Sequence, residues 1–470
     1  MFSMDAPASL APVRTPFQPG IFQRLATNAP RYTSYPTADR LHADFGAGQW
    51  EAALRACGQQ ASQPLSLYVH IPFCESICYY CACNKVVTRH HERAQPYLDA
   101  LEREMAMQAA LLGERRPVSQ LHFGGGTPTF LSDDQLARLM ASLRRHFDLQ
   151  PQAELSIEID PRTIDETRLR ALAQMGFNRL SFGVQDFDPD VQQAVHRVQP
   201  FEAVRDLMRT ARGLGFASIN VDLIYGLPKQ TASSFARTIG QVAGLRPDRI
   251  ALYAYAHLPT RFKPQRRIDS QALPDGAARV ALLSAAIEGF QDMGYVYIGM
   301  DHFALPEDSL AQARRDGSLH RNFQGYSTQP DRDLLALGVS AISHVGAVYS
   351  QNHKTLDAYY AALEAGGLPV ERGLACSADD LWRRRIIMDI MCRGELDLAA
   401  YAAERGLPVA QAFAQELEDL QPLQALGLLR LTPDWLEVTA QGWFFVRAVA
   451  MVFDAHLRCN RVADRYSRLA

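Results

Sequence analysis

Leu67-Tyr68-Val69-His70-Ile71-Pro72-Phe73-Cys74 opens the stretch that decides the fold, and the stretch runs on through Cys78, Cys81 and Cys83 to Thr88. It begins as an apolar, β-rich run and ends as a loop holding four of the chain's eight cysteines, in the order Cys-x3-Cys-x2-Cys-x-Cys. Short spacers let Cys74, Cys78 and Cys81 curl around one small centre, and thiolates in that pattern suit zinc or an iron–sulfur cluster. A closed structural zinc site takes four ligands, usually as two separated pairs. No second pair follows, because Cys57, Cys376, Cys392 and Cys459 are scattered. Three thiolates on a [4Fe–4S] cluster leave one iron for an outside ligand, and that reading is favoured. Cys83 follows Cys81 by only two positions and reads as a neighbour rather than a ligand. A disulfide is disfavoured, since no signal peptide precedes the run and cytosolic thiols stay reduced.

Outward from this stretch, apolar β-rich runs alternate with longer helical ones. Strand candidates at 65–71, 120–124, 154–159, 179–184, 218–224 and 249–255 are interleaved with helix candidates near 91–112, 133–146, 165–175, 201–214, 232–243 and 276–293. Tyr97, Leu98, Leu101, Met105 and Ala109 show the spacing of one buried helix face. Six strand–helix units predict a parallel sheet with right-handed crossovers, and six are too few to close an eight-stranded barrel. The expected fold is therefore α/β, a partial (β/α)6 TIM-like barrel. An N-terminal arm with a short helix is expected over 1–64, the barrel over 65–300, active-site loops completing it over 301–365, and a mostly helical, winged-helix-like C-terminal domain over 366–470. Residues 1–20, rich in Pro and Ala, are expected to be mobile, and Pro30–Thr37 is expected to be extended. In the last hundred residues, helices near 378–393, 396–405, 409–421 and 440–458 surround a hairpin at 428–439. Such a module often binds DNA, but no basic stripe is evident, so a lid or packing role is expected. Arg383-Arg384-Arg385 reads as a solvated helix face.

Composition narrows the function classes. The 470 residues are 47% hydrophobic and 21% charged with a net charge of −3, which is ordinary for a globular protein and makes no electrostatic case for nucleic acid. No apolar run reaches the ~18 residues of a membrane span. A cytoplasmic protein is expected, and no surface stripe demands a second copy, so a monomer is expected too.

Strand ends are where such folds keep their chemistry. Gly124-Gly125-Gly126-Thr127 ends the second strand, and consecutive glycines serve either a tight turn or the close approach of a ligand. Glu158 ends the third among apolar neighbours, so it needs either a ligand ammonium or a barrel arginine. Gln185 ends the fourth, with Arg197 beyond it. Asp222 sits in an apolar fifth strand and can bind ribose hydroxyls or other polar cofactor atoms. Ala256, at the end of the sixth, offers only backbone. Residues 294–350 leave the rhythm, and within them 299–304 and 320–326 are dense in polar and aromatic residues; loops that long usually serve function. His302 and His320 there read equally as functional or as ordinary loop residues. Arg321 there can pair bidentately with a carboxylate.

Tyr-Val-His-Ile-Pro-Phe-Cys…Cys-Tyr-Tyr-Cys-Ala-Cys-Asn-Lys resembles the oxygen-independent coproporphyrinogen III oxidases (dehydrogenases) of the radical S-adenosylmethionine superfamily, whose signature is Cys-x3-Cys-x2-Cys. Pro30-Arg31-Tyr32-Thr33-Ser34-Tyr35-Pro36-Thr37 and the 299–304 and 320–326 texts share the likeness. The resemblance implies an open barrel with the arm folded over the active site, and a [4Fe–4S] cluster on Cys74, Cys78 and Cys81. It implies one S-adenosylmethionine near Tyr68, Tyr80, Gly125, Glu158 and Ile342, and a second near Gly126, Thr127, Gln185, Arg197, Asp222 and Ala256. Tyr68 is a candidate proton or positioning group. The implied reaction converts two propionates of coproporphyrinogen III to vinyl groups by a 5′-deoxyadenosyl radical, fed by an unidentified reductase or electron carrier. The rivals are a haem-binding chaperone of the same superfamily and a radical methyltransferase or haem-degrading relative.

Overall fold

The computed structural model describes residues 17–25, 29–59, 63–113 and 115–459. The expectation of a mobile segment over 1–20 lies outside the described residues as far as residue 16. Six parallel strands form the centre: β1 (Leu65–Ile71), β2 (Pro117–Gly125), β3 (Asp148–Ile159), β4 (Arg179–Gln185), β5 (Ser218–Tyr225) and β6 (Arg249–Ala254). They lie side by side in chain order, each joined to the next by a helix. The α/β partial barrel is thus observed. The crossover helices are α1 (Ala94–Leu112), α2 (Asp133–His146), α3 (Glu166–Met175), α4 (Phe201–Gly213) and α5 (Ala232–Leu245), and α6 (Gly276–Asp292) follows β6.

Alternation along each strand sorts the two faces of this sheet. Leu67 and Val69, Leu121 and Phe123, Leu180 and Phe182, and Ile250 and Leu252 belong to the continuous core with the helix side chains Leu101, Leu139 and Leu172. The intervening positions are polar and run around the concave side in register. His122 lies opposite Ser156, Glu158 opposite Ser181, and Ser181 opposite Asn220. Apolar burial drives one face against helices, and the other is left as a polar lumen. Helix caps fix the crossovers: Ser132 and Gln135 form a capping box at α2, as do Thr231 and Ser234 at α5.

Several local expectations are corrected. The third strand starts at Asp148, because Pro117 and Val118 of β2 pair with Asp148 and Leu149 before a bulge; the exposed Pro151 and Gln152, which interrupt the apolar run, concealed it. Residues 294–350 are not open loops. They supply β7 (Val296–Gly299) and β8 (His302–Ala304), which pair antiparallel beside β6, and β9 (Leu334–Leu337), which runs parallel to β1. With β10 (Ile342–Val345), β11 (Val348–Asn352) and β12 (Val370–Ala375), the sheet reaches twelve strands. In the C-terminal part, the helix expected near 396–405 begins at Leu398, because Glu395–Asp397 is a strand that completes a three-stranded sheet with the hairpin at 429–438. Of the three consecutive arginines, only Arg385 is exposed at its tip. Arg383 and Arg384 are 13% and 14% exposed and pair with Glu416 and Asp331.

The arm is packed rather than strung along the surface. Tyr32 and Tyr35 are buried, with the Tyr32 hydroxyl donating to Asp454 at 3.0 Å and Tyr349 donating to the Tyr35 carbonyl at 3.2 Å. Both aromatic bodies fill the junction of arm, sheet and C-terminal helices, which carries Arg31 to the mouth of the barrel.

Candidate active site

A cavity of about 260 Å³ lies at the carboxyl ends of the strands, lined by Cys74, Cys78 and Cys81 on one wall and Glu158, Gln185 and Asp222 on another. Tyr80, Gly125, Gly126, Thr127 and Arg197 also line it. Of the residues singled out in the sequence, Tyr68, Ala256 and Ile342 stand back from it. A second polar cavity of about 160 Å³ continues into the lumen and shares Glu158, Ser181, Asp222 and Tyr253 with the first.

The cysteine loop is fixed through its backbone. After the short strand Phe73–Cys74, Val86 and Thr88 donate backbone N–H to Pro72 and Cys74, and Tyr79 donates to Val195. The glycine turn packs directly on this loop, with Gly126 N–H donating to Ile71 at 2.8 Å and Thr127 N–H to Phe73 at 2.8 Å. A Cβ on Gly126 would sit 2.7 Å from the Pro72 carbonyl group, so only glycine permits the approach. The Thr127 hydroxyl donates to Cys74 Sγ at 3.4 Å. Two guanidinium groups face Cys78 Sγ, Arg197 at 3.4 Å and Arg162 at 3.5 Å, and both pair with Asp160. Burial alone would raise Asp160, but these two arginines outweigh it and hold it at about 2. Burial pushes the Cys74 thiol up to about 11, while a hydrogen bond from Cys83 holds Cys81 down at about 6.

Among the described residues no three His, Cys, Asp or Glu side chains converge on a point where one metal ion would sit. Cys74, Cys78 and Cys81 line one cavity, and three thiols without a fourth protein ligand fit a polynuclear centre with one thiolate per iron. The guanidinium groups of Arg162 and Arg197 beside Cys78 would balance the negative charge of a thiolate-held cluster, while the Cys74 thiol, raised by burial, must give up its proton to bind one.

The opposite wall is a chain of acceptors. Glu158 Oε2 accepts the Gly125 N–H at 3.1 Å, and its Oε1 lies 3.3 Å from His122 Nε2. His122 stacks on Tyr68, whose hydroxyl is 3.1 Å from His70 Nδ1. Tyr68 therefore supports Glu158 and the glycine turn from behind. Asp222 accepts from Ser181 at 3.1 Å and from Asn220 at 2.8 Å. Burial, then the nearby Glu158, raises Asp222 to about 6. Arg197 also donates to the Gly183 carbonyl at 2.5 Å, beside the left-handed Gln185 that ends β4.

The raised Asp222 has a stability consequence. Between its ordinary 3.8 and about 6 the folded chain holds the extra proton, so stability falls as pH rises through that window. Asp222→Asn in the cofactor-free protein is expected to gain on the order of 2–3 kcal/mol over wild type at pH 7. The gain vanishes below pH ~4. Thermal midpoints of both proteins at two pH values check it, and parallel pH dependences would refute it.

Sequence reading passed over Arg162, His122 and Gln265. His122 was signalled by the polar alternation Gln120, His122, Gly124 along β2. Gln265 had no signal: it is 1% exposed and donates from one amide nitrogen to the Tyr80 and Ala256 carbonyls, both at 3.1 Å. This amide ties the cysteine loop to the end of β6, and it accounts for Ala256 contributing backbone alone. Ile342 opens β10 opposite Gln351.

Comparison with known proteins agrees with this arrangement. The Radical SAM superfamily matches residues 68–242 and the HemN C-terminal domain matches residues 376–445. The chain is 48% identical over 452 residues to the oxygen-independent coproporphyrinogen III oxidase of Pseudomonas aeruginosa, covering 96% of this chain and 98% of that protein. It is 48% identical to the Escherichia coli protein of the same name, covering 96% and 97%. The solved structure of coproporphyrinogen III oxidase (HemN) from Escherichia coli, described as a radical SAM enzyme, superposes with a TM-score of 0.89 at 46% identity, covering 94% of this chain and 99% of that one.

Proposed function

The chain belongs to the oxygen-independent coproporphyrinogen III oxidases of the radical S-adenosylmethionine superfamily, and from that premise we propose how its residues divide the work of turning two propionates of coproporphyrinogen III into the vinyl groups of protoporphyrinogen IX. It is an oxidoreductase of haem biosynthesis that uses a [4Fe–4S] cluster and S-adenosylmethionine. When bound, these cofactors supply a 5′-deoxyadenosyl radical, which takes a β-hydrogen from a propionate before carbon dioxide and one electron leave.

The observation that carries the division is the single cavity with thiols on one wall and acceptors on the other. Cys74, Cys78 and Cys81 hold the cluster, and Cys83 stays beside it. Glu158 accepts the ammonium of one S-adenosylmethionine, while Gly125 gives its methionine end room against the backbone. Tyr68 and Tyr80 flank that molecule, with Ile342 at its edge. Gly126, Thr127, Gln185, Arg197 and Asp222 face a second, and Ala256, set back from the cavity wall, would meet it only through its backbone. Domains follow the same division: barrel at 65–300, completing segments at 301–365, and a C-terminal cover at 366–470, with the arm of 1–64 excluding water. The protein acts as a cytoplasmic monomer without nucleic acid, and no helix among the described residues is long and apolar enough to cross a membrane.

Substrate carboxylates meet cations at the mouth. Arg31 pairs with Asp301 at 3.3 Å and lies over Tyr253, which lines both cavities. Asp301 is delivered by a two-residue turn, Met300-Asp301, in which both residues adopt positive φ, the geometry of a type I′ hairpin. Arg321 is buried, donates to the Arg31 carbonyl, and has one guanidinium nitrogen without a partner among the described residues. Burial and Arg321 push the neighbouring His302 down to about 4, so it adds no charge. A buried cation lacking an acid is stabilised by an incoming propionate. Arg321→Gln is expected to raise KM for the tetrapyrrole roughly ten- to a hundredfold, the value of one charged hydrogen bond, without changing the cluster's spectrum. An unchanged KM would remove Arg321 from the substrate site.

Anaerobic reconstitution followed by product analysis tests the whole reading. Vinyl product with two carbon dioxide released per tetrapyrrole is expected. Stoichiometric haem capture without product would replace the enzyme by a haem carrier, and transfer of a labelled methyl group to the porphyrin would replace it by a methyltransferase.

A further inference from the structure

The segment His257-Leu258-Pro259-Thr260-Arg261-Phe262-Lys263-Pro264-Gln265-Arg266-Arg267 contains four cationic residues and no Asp or Glu. Arg261, Lys263, Arg266 and Arg267 are all exposed and form no ion pair among the described residues. A solvated charged face usually sits away from the chemistry, but this one is bolted to the cysteine loop. Gln265 donates to the Tyr80 carbonyl, and the Arg267 guanidinium lies 5.4 Å over the ring of Tyr79. Tyr79 directly follows Cys78 and stacks on His196 at 5.0 Å.

Apolar surface collects at the same place. Among the described residues five large apolar side chains are exposed, and three of them belong to the cysteine loop or to segments tied to it: Val87, paired with Cys74; Val198, next to Arg197; and Leu258. Val198 is the most exposed of the five at 60%. Cationic side chains around uncovered apolar ones, immediately outside a redox centre, have the make-up of a transient protein interface.

We propose that the Arg261–Arg267 loop, with Tyr79, Val198 and Leu258, is the docking surface for a small acidic one-electron carrier protein. The proposal rests on the cluster assignment above. On docking, one electron leaves the reduced carrier and enters the cluster, so the carrier is oxidised by one electron and the cluster reduced by one. Charge complementarity selects the partner and speeds its encounter, and the weak, small contact lets it leave.

The test uses the reconstituted protein and, as probe, an acidic [2Fe–2S] ferredoxin. Its affinity is read by calorimetry and its electron delivery by the growth of the reduced-cluster electron paramagnetic resonance signal. Wild-type affinity is expected to drop about tenfold between ~50 and ~300 mM salt. The double variant Arg261→Glu, Lys263→Glu is expected to lose at least tenfold in affinity and in ferredoxin-driven reduction at low salt, with dithionite-driven reduction unchanged. Lys263→Arg keeps wild-type values. Salt-independent binding, or equal affinity of the charge-reversed and wild-type proteins, overturns the surface. If dithionite-reduced wild type fails to cleave S-adenosylmethionine, the cluster reading falls instead, and the binding comparison still decides the surface.

Discussion

Cys74→Ser is expected to yield a folded protein that retains almost no iron and forms no vinyl product, a loss of at least ~10³-fold, or about 4 kcal/mol of transition-state stabilisation. Three thiols line the cavity, and under the proposed assignment each would hold one iron. A serine hydroxyl is a far poorer donor, so two thiolates are left to hold the cluster. Burial keeps the Cys74 thiol protonated up to about 11 in the cofactor-free chain, so the cluster must displace that proton to bind. Folding should survive, because the loop is held by backbone hydrogen bonds of Val86, Thr88, Gly126 and Thr127 rather than by the sulfur. Iron content per chain and circular dichroism of Cys74→Ser and Cys83→Ser check this together. Cys83→Ser is expected to keep its iron. Four irons per chain in Cys74→Ser would refute the ligand assignment.

Glu158→Gln is expected to weaken S-adenosylmethionine binding roughly ten- to a hundredfold, the 1.5–3 kcal/mol of a hydrogen bond to a charged group. The substitution separates two roles. Glutamine keeps a side-chain oxygen for the Gly125 N–H, so the turn stays in place. It removes the negative charge that an ammonium requires. Calorimetric titration of the reconstituted variant checks it. Undiminished affinity would mean that Glu158 only supports the turn and its neighbour His122.

Much of this was legible in the chain. Period-two alternation in Leu67, Val69, Ile71 and in Leu180, Phe182 marked strands with one apolar face, and the six-fold rhythm set the open barrel. Local spacing was enough to bring Cys74, Cys78 and Cys81 to one loop. The misread segments share a cause. Short strands such as Leu334–Leu337 are too brief to show a period, and they exist because β1 offers an unpaired edge. Arg383 and Arg384 look like surface residues until Glu416 and Asp331, distant in sequence, bury them.

The sequence alone determined the six central strands, the clustering of three cysteines in one loop and the carboxylates at strand ends, because these follow from local hydrophobic period and from residues within a few positions of one another. Only the tertiary structure decided that Arg162 and Arg197 face Cys78, that Gln265 joins the cysteine loop to the end of β6, and that Arg321 donates to the Arg31 carbonyl. Those pairings join parts of the chain up to 290 residues apart. They depend on how the helices stack the strands, and hydrophobic periodicity carries no record of which polar side chains then meet across the lumen.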